Sequence, residues 1–580
     1  MNVLLAAAAT CGLLVGHGRP ITSRCSSAVM KERLDGLRTL DTLITRGLDT
    51  IEDAFLLARR VTAEPVDSVD CLDAWTDDAD ERQRILVIGS GWAAHALVKI
   101  VDADLYRLLV VSPRNFFIFT PMLAASSVGT VEYRSITEPM RASNPRAAYI
   151  EGTVTDIDPV AQCADIRLGT GTGAASRQVN YDVCVYAAGV LASTSRIPGV
   201  AEHCCFLKEI EDAQKLRAAV GTALESASRP GLSEEERRRM LTLVVVGGGA
   251  TGVEYVGELS DFLLDALTRL YPQLARFARV ILVHSGPTLL PQFDPPLREK
   301  ALATLQAKVD VEIMLNTRVE RVNSPTSVTL KTRRAHAAGQ AGTDADSGDV
   351  TADEWDAPRG VECGLVMWAA GTGPSELTER LNARLVDCAP PGTFDETAGR
   401  PPWTAGRITV DPWLRALGAP PGSLIALGDA AVCAGSDGSP LPQTAQVAAQ
   451  QGAYVARLLN RGYDLTGGGP AALDACEVLS PPLSREARAG DIRRLVWLRG
   501  AVEARQFEFL NLGLLAYLGG GEALSQVQVG ESRLLSEAGS TGFLLWRSVY
   551  VVKQVSPRTR FLVLFDWLKT KLFGRDVTRW

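Results

Sequence analysis

The chain has no cysteine pair at C-x-x-C or C-x-x-x-x-C spacing, although it holds 11 cysteines in 580 residues. Scattered thiols of this kind read as reduced residues of a non-secreted protein, not as a disulfide framework or a zinc site; Cys204 and Cys205 are merely adjacent. No basic excess exists either. Lys and Arg total 60 against 67 Asp and Glu, a net charge of −7, which argues against a general nucleic-acid binder. No clean apolar run reaches about 20 residues, so no transmembrane helix is expected. Acids are missing from the first 31 residues, where an apolar run from Val3 to Gly16 precedes Arg19, Arg24 and Lys31. This reads as a targeting segment over residues 1–30, an organelle presequence with a secretory signal as the alternative. What remains is 46% hydrophobic and 22% charged, ordinary for a globular protein of two to four domains.

Two glycine fingerprints stand out, each after an apolar run. The first is Ile85-Leu86-Val87-Ile88-Gly89-Ser90-Gly91-Trp92-Ala93-Ala94; the second is Leu243-Val244-Val245-Val246-Gly247-Gly248-Gly249-Ala250-Thr251-Gly252. Each reads as a buried strand, a tight turn and a helix start. The first glycine makes the turn, the second lets the backbone approach a pyrophosphate, and the third small residue lets helix pack on strand. Two such units suggest two dinucleotides, most economically a bound flavin that takes electrons from a nicotinamide. A flavin disulfide reductase would need a cysteine pair after the first fingerprint, and none is there.

The organisation follows from these anchors. Residues 31–84 read as a helical segment, with leucines and isoleucines at three- and four-residue steps from Leu34 to Ile51, then an acidic linker from Asp67 to Arg84. An FAD-binding part spans 85–230, with a second strand at Arg107 to Val111 and another ending at Gly189. An NAD(P)H-binding domain spans 231–375 and closes on Leu365 to Gly371. Its Gly-, Ala- and acid-rich stretch 335–359 reads as a surface insertion. The FAD part resumes over 376–480, where Ile425 to Ala431 forms a strand, a glycine turn and Asp429. Residues 481–580 form a C-terminal membrane-anchoring or dimerising region. The expected fold class is α/β, two Rossmann-like domains plus this C-terminal region.

Four stretches carry a more specific likeness: Ser112 to Leu123 with Val128 to Glu132; Gly247 to Leu259; Leu441 to Gly452; and Phe543 to Tyr550, continuing through Phe565 to Lys569 and Leu572 to Asp576. On these the chain resembles the type II, single-subunit, non-proton-pumping NADH:quinone oxidoreductases from Ile85 to the C-terminus. The resemblance implies FAD held by Gly89, Gly91, Ala94, Ser112, Arg114, Thr120, Pro121, Gly189 and Asp429. It implies NADH, with NADPH as the alternative, at Gly247, Gly249, Gly252, His284 and Gly371. His284 stands where many relatives carry Glu; it removes a repulsion of a 2′-phosphate without supplying a strong cation. Glu254 is the expected catalytic acid, orienting the nicotinamide or relaying a proton. Gln446 and Gln450, four residues apart on one helix face, are expected to donate to a quinone carbonyl, with Ala445, Ala448, Ala449 and Gly452 making room for a flat ring.

The C-terminal helices, Phe543 to Val555 and Arg560 to Phe573, are too short to span a membrane. From Trp546 onward eight Lys or Arg face two acids, Asp566 and Asp576, so residues 540–580 read as an interfacial anchor on anionic lipid, with a homodimer expected. Ser347 to Glu354 echoes the latter half of a calcium loop, yet Thr343 and Ala345 stand where carboxylates are needed, so no metal site is assigned. The expected place is the mitochondrial inner membrane, peripherally, with a plastid thylakoid membrane as the alternative. Other readings are a soluble FAD-dependent NAD(P)H oxidoreductase with a non-quinone acceptor and a redox-sensing, partner-binding flavoprotein. Quinone identity, membrane face and oligomeric state stay open.

Overall fold

A computed structural model describes residues 44–58, 65, 71–76, 79–169, 175–334, 355–390, 393, 406–435, 438–463, 465, 505–529 and 532–578. The targeting segment and the insertion with its calcium-like loop lie outside the described residues, save the insertion's last stretch, 355–359, where a strand begins at Arg359. The chain divides into two units, 1–52 and 53–580. In the first, residues 44–52 are helical. The second holds both glycine turns and the C-terminal region.

The stretch read as a linker contains a packed helix, α1 (Cys71–Thr76). Trp75 on it is buried, and its indole N–H donates to the carbonyl of Asn180 at 2.7 Å. One buried aromatic outweighs the polar composition around it.

The first sheet begins with β1 (Arg84–Ile88), which leads into helix α2 (Trp92–Ile100), then β2 (Arg107–Ser112) and the long β3 (Ala148–Asp158). A meander of β4 (Cys163–Leu168) and β5 (Ala175–Asn180) comes next, and the chain re-enters the sheet at β6 (Val183–Tyr186). Helix α3 (Ile210–Ala227) precedes the second sheet, built from β7 (Thr242–Val246), helix α4 (Ala250–Arg269), β8 (Arg279–Val283), β9 (Val311–Met314) and β10 (Leu365–Trp368). The chain returns to the first sheet through β11 (Leu424–Ala426) and helix α5 (Ala445–Asn460). The first sheet then runs β11-β6-β1-β2-β3-β4-β5, and the second β9-β8-β7-β10.

Within each sheet the opening strand sits centrally and pairs in parallel on both sides. β1 lies between β2 and β6; β7 lies between β8 and β10. Both are apolar almost throughout because both faces are covered. The chain leaves each central strand to one side and later returns on the other. That opens a crevice at the strand's carboxyl end, where each glycine turn lies. Leu191–Ala192 pairs antiparallel with Thr372–Gly373, joining the two sheets' return segments.

The C-terminal part is a three-stranded antiparallel sheet, β12 (Leu514–Gly519), β13 (Glu522–Val529) and β14 (Ser532–Gly539), followed by helices α6 (Ser540–Val552) and α7 (Pro557–Phe573). No helix among the described residues is long and apolar enough to cross a membrane. Helix α7 is turned opposite to a soluble surface helix. Val563, Asp566 and Trp567 are buried, while Phe561, Leu564, Phe565, Leu568, Leu572 and Phe573 are exposed. The tail's cations are largely engaged by the protein itself. Lys569 pairs with Glu132 at 3.0 Å, Arg560 donates to the carbonyl of Val552 at 3.0 Å, Arg575 lies 3.7 Å from Glu258, and Arg547 stacks on Phe543 and Trp567.

Candidate functional site

The two glycine turns are near copies. Gly89 has φ +114°, and a Cβ there would lie 2.4 Å from the carbonyl oxygen of Ala187. Gly247 has φ +121°, and its Cβ would lie 2.6 Å from the oxygen of Ala369. Both are places only glycine fits. The second glycines behave oppositely: beside Gly91 and Gly249, the N-caps of α2 and α4, an added Cβ meets nothing within 4 Å. Open space at a helix N-terminus is what a pyrophosphate needs. At the third position a Cβ on Gly252 would lie 1.9 Å from the oxygen of Gly247, whereas Ala94 keeps its methyl, fully buried. The helix–strand fit is therefore tighter in the second unit.

The residues assigned to FAD gather around the first turn. The buried Ser112 hydroxyl donates to Ser90 at 3.0 Å. Arg114 donates through Nε to Ser90 at 3.2 Å and to the carbonyl of Phe116 at 3.0 Å, and its guanidinium pairs with Glu209. Glu209 also caps α3. The Thr120 hydroxyl accepts from the Trp92 indole at 3.0 Å, and Pro121 follows in the same short helical turn. A Cβ at Gly189 would meet open space. Asp429 sits in the turn after β11, with Lys208 Nζ at 4.0 Å; burial pushes its carboxyl up, while Lys208 and Arg407 pull it down. An open glycine cradle with a carboxylate and cations beside it fits FAD. Lys208, Glu209, Arg407 and Trp92 were not singled out from the sequence, because their partners are distant in the chain.

In the second unit Gly371 O accepts from the amide of Ser193 at 3.1 Å. His284 is not a free strand-end side chain. It is half-buried, and its Nδ1 accepts the Gly248 amide at 3.1 Å. That atom must be unprotonated to accept. Burial lowers the imidazole's pKa, with the Thr288 backbone pulling the other way. His284 is thus a neutral prop under the glycine turn.

The glutamines are also committed. Gln446 donates to the carbonyl of Gly513 at 2.8 Å and accepts from Leu512 N at 3.3 Å. Gln450 donates to the carbonyl of Leu510 at 2.9 Å and accepts from its amide at 3.0 Å. The pair holds the backbone of residues 510–513. The small residues beside it serve helix packing: a Cβ on Gly452 would lie 2.1 Å from the oxygen of Ala93 on α2. Gln451, unremarked in the sequence, is buried and accepts the amide of Gly428 at 2.7 Å.

Glu254 lies on the second turn of α4, surrounded by protein yet not sealed. Its Oε1 accepts the Tyr517 amide at 3.4 Å. Burial pushes its pKa up to about 8; the Tyr517 amide pulls it down, the neighbouring Glu258 pushes it further up, and the Trp546 indole pulls it down. One turn on, Glu258 is buried, accepting from the Thr130 hydroxyl at 2.7 Å. Burial takes it up to about 7 against Arg575 and Thr130. What encloses both acids is β12, which crosses α4 so closely that a Cβ on Gly257 would lie 2.7 Å from Gly519 N. Tyr517 extends the contact by donating to Asp261 Oδ2 at 2.6 Å.

Both folded-state values exceed the carboxylate's ordinary 4.5, so folding favours the protonated forms. Their contribution is complete below that ordinary value and is lost as pH rises through 7 to 8. Melting temperature should therefore fall from about pH 5 to about pH 8. The Glu254→Gln/Glu258→Gln double variant should show a flatter profile by scanning calorimetry. Equal slopes would contradict the assignment.

Comparison with known proteins agrees with this layout. A family model described as pyridine nucleotide-disulphide oxidoreductase matches residues 83–452, and one for the NDH2 C-terminal domain matches residues 511–576. A probable mitochondrial NADH-ubiquinone oxidoreductase of Schizosaccharomyces pombe is 32% identical, covering 86% of this chain and 83% of the relative. The external NADH-ubiquinone oxidoreductase 2 of Saccharomyces cerevisiae is also 32% identical, over 86% and 82%. An internal alternative NAD(P)H-ubiquinone oxidoreductase A1 of Solanum tuberosum is 33% identical, over 86% and 89%. Among solved structures, NDH2 of Plasmodium falciparum in complex with NADH has the same fold, with TM-score 0.67 at 20% identity over 86% of this chain and 100% of that one. With relatives of this kind spanning most of its length and the C-terminal domain matched separately, the chain belongs to the type II NADH:quinone oxidoreductase family.

Proposed function

We propose that this chain oxidises NADH and reduces a quinone, with FAD in the first cradle, NADH in the second, and no proton pumping. The observation that carries the reading is the pair of matched glycine turns with an acid of raised pKa, Glu254, on the helix that starts at the second. FAD, when bound, takes up the hydride of the nicotinamide and hands its two electrons to the quinone. Gly91 and the α2 N-terminus would hold its pyrophosphate, Thr120 and Pro121 would lie against its ring system, and Asp429 would reach its ribityl hydroxyls. Gly249 and the α4 N-terminus would hold the pyrophosphate of NADH. Glu254, neutral at pH 7, keeps a proton at its carboxyl for the quinone oxygen without placing a fixed charge in the cleft. Gln446 and Gln450 act by positioning residues 510–513 along the quinone's route.

The test is stopped-flow absorbance with FAD-loaded protein. NADH should bleach the flavin band, and a short-chain ubiquinone should restore it. In Glu254→Gln the bleaching should persist while restoration slows about tenfold or more. Bleaching without restoration in the wild type would favour a soluble reductase with another acceptor. No bleaching at all would favour a redox-sensing role.

His284 bears on the choice of coenzyme. A neutral prop offers nothing to a 2′-phosphate, so NADH is the expected donor. His284→Ala should lower kcat/KM for NADH and NADPH together, by loosening the Gly248 turn, and leave their ratio within about twofold. A ratio shifted tenfold would make His284 a discriminating residue after all.

The outward apolar face of α7 supports a peripheral seat on a membrane; the relatives' names say mitochondrial, and the inner membrane is the seat we propose, with a homodimer sharing part of the region 540–580. Because most described cations of the tail are engaged internally, attachment should depend on apolar insertion more than on charge. Phe561→Ser/Phe565→Ser/Leu568→Ser should fail to float with anionic vesicles that carry the wild type. Release of the wild type by salt alone would show the anchor to be electrostatic.

A further inference from the structure

A pocket of about 580 Å³ opens between α4, the β12–β13 turn and the C-terminal helices. Glu258, Asp261 and Asp265 line it from α4, one helical turn after another, and Trp546 lines it from α6. Glu254 is next in the same row, since residues four apart share a helix face, yet it does not line this pocket. Trp546 is 4% exposed, and its indole N–H bears on the carboxyl of Glu254. Glu258 therefore meets the pocket on one side and Glu254 on the other.

We propose that the pocket and Glu258 are the proton inlet of the reaction, Glu258 passing protons from pocket water to Glu254. This rests on the reading of Glu254 as the acid that serves the quinone. The balance is simple. NADH, a quinone and one proton give NAD⁺ and a quinol, so one proton must enter per turnover. Glu254 gives its carboxyl proton to the quinone oxygen and becomes a carboxylate. Glu258 returns a proton to it, and a hydronium ion in the pocket reprotonates Glu258. No other oxidant or reductant takes part.

The surroundings suit a group that must gain and lose a proton. On its own helix Glu258 is flanked by Asp261, which opposes its ionisation, and by Glu254, whose ionisation it opposes in turn. The Tyr517 hydroxyl reaches in from β12, bonded to Asp261, and Lys308 Nζ stands 3.5 Å from Asp261. Against these, Arg575 lies 3.7 Å from Glu258, Arg547 approaches from α6, and Thr130 donates directly. Arg269 and Lys571 add cations at the pocket lining. Burial raises Glu258 most, and Arg575 and Thr130 pull it back, leaving it at about 7, close to the pH at which both protonation states are populated.

The experiment measures the two half-reactions separately on FAD-loaded full-length protein between pH 6 and 9. In Glu258→Gln, flavin bleaching by NADH should be unchanged, reoxidation by a short-chain ubiquinone should slow about tenfold at pH 8, and its solvent deuterium effect should grow. Glu258→Asp should recover most of the rate. Thr130→Val removes a donor to the Glu258 carboxylate, so the alkaline fall of the reoxidation rate should move to higher pH. Reoxidation and its pH profile unchanged in both Glu258→Gln and Thr130→Val would overturn the inlet while leaving quinone reduction intact. Wild-type protein that bleaches yet is never reoxidised would overturn the functional reading itself. If Glu258→Gln does not fold, the direction of the Thr130→Val shift decides alone, an unmoved or lowered breakpoint counting against the proposal.

Discussion

The surroundings of Glu254 and Glu258 depend on one backbone contact, where β12 crosses α4 at Gly257 and Gly519. A Cβ on either residue would strike the other's backbone, at 2.7 Å and 2.6 Å. Because the two chains touch without side chains between them, the Tyr517 amide reaches Glu254 and the Tyr517 hydroxyl reaches Asp261. The same closeness buries the carboxyls and raises their pKa values, that of Glu254 further than that of Glu258. A methyl group at either position would lift the C-terminal sheet from the helix and ionise both acids.

Helix α4 is the axis through which distant parts of the chain meet. Its N-terminus follows the second glycine turn, its middle carries Glu254 and Glu258, and its far end is tied to the C-terminus. Arg269 donates to the carbonyl of Phe573 at 3.0 Å, and the Arg575 amide donates to Asp265 at 3.1 Å. The C-terminal region is thus more than an attachment. It supplies Tyr517, Trp546 and Arg575 to the environment of the acids, so the C-terminal helices and the two carboxyls of α4 share one set of contacts.

Much of this was legible in the sequence where a local pattern carries a physical demand. Strand-turn-helix with glycines at fixed steps leads to β1 and β7, and the structure gives each first glycine a left-handed φ and each second glycine open space. The apolar C-terminal helices were equally plain, within three residues at either end. What escaped was set by long-range partners. Gln446 and Gln450 have the right chemistry for a carbonyl ligand, but their spacing is silent about a backbone segment some 60 residues away. His284 looked like a residue that bears on a 2′-phosphate because the Gly248 amide it supports is brought to it only by the sheet. Gly257 and Glu258 sat inside a quoted stretch and Tyr517 outside all of them, and none was given a role, since helix periodicity does not tell which buried carboxyl faces another.

The central claim is that burial keeps Glu254 protonated in the folded protein at neutral pH and leaves Glu258 divided between its two protonation states. Infrared difference spectroscopy across a pH jump from 6 to 9 tests it directly, through the carbonyl stretch of protonated carboxylic acids. The account predicts a protonated band in the wild type at pH 6 that diminishes toward pH 9, loses one component in Glu254→Gln, and loses another in Glu258→Gln. A wild-type spectrum with only ionised carboxylates at pH 6, in folded protein, would contradict it.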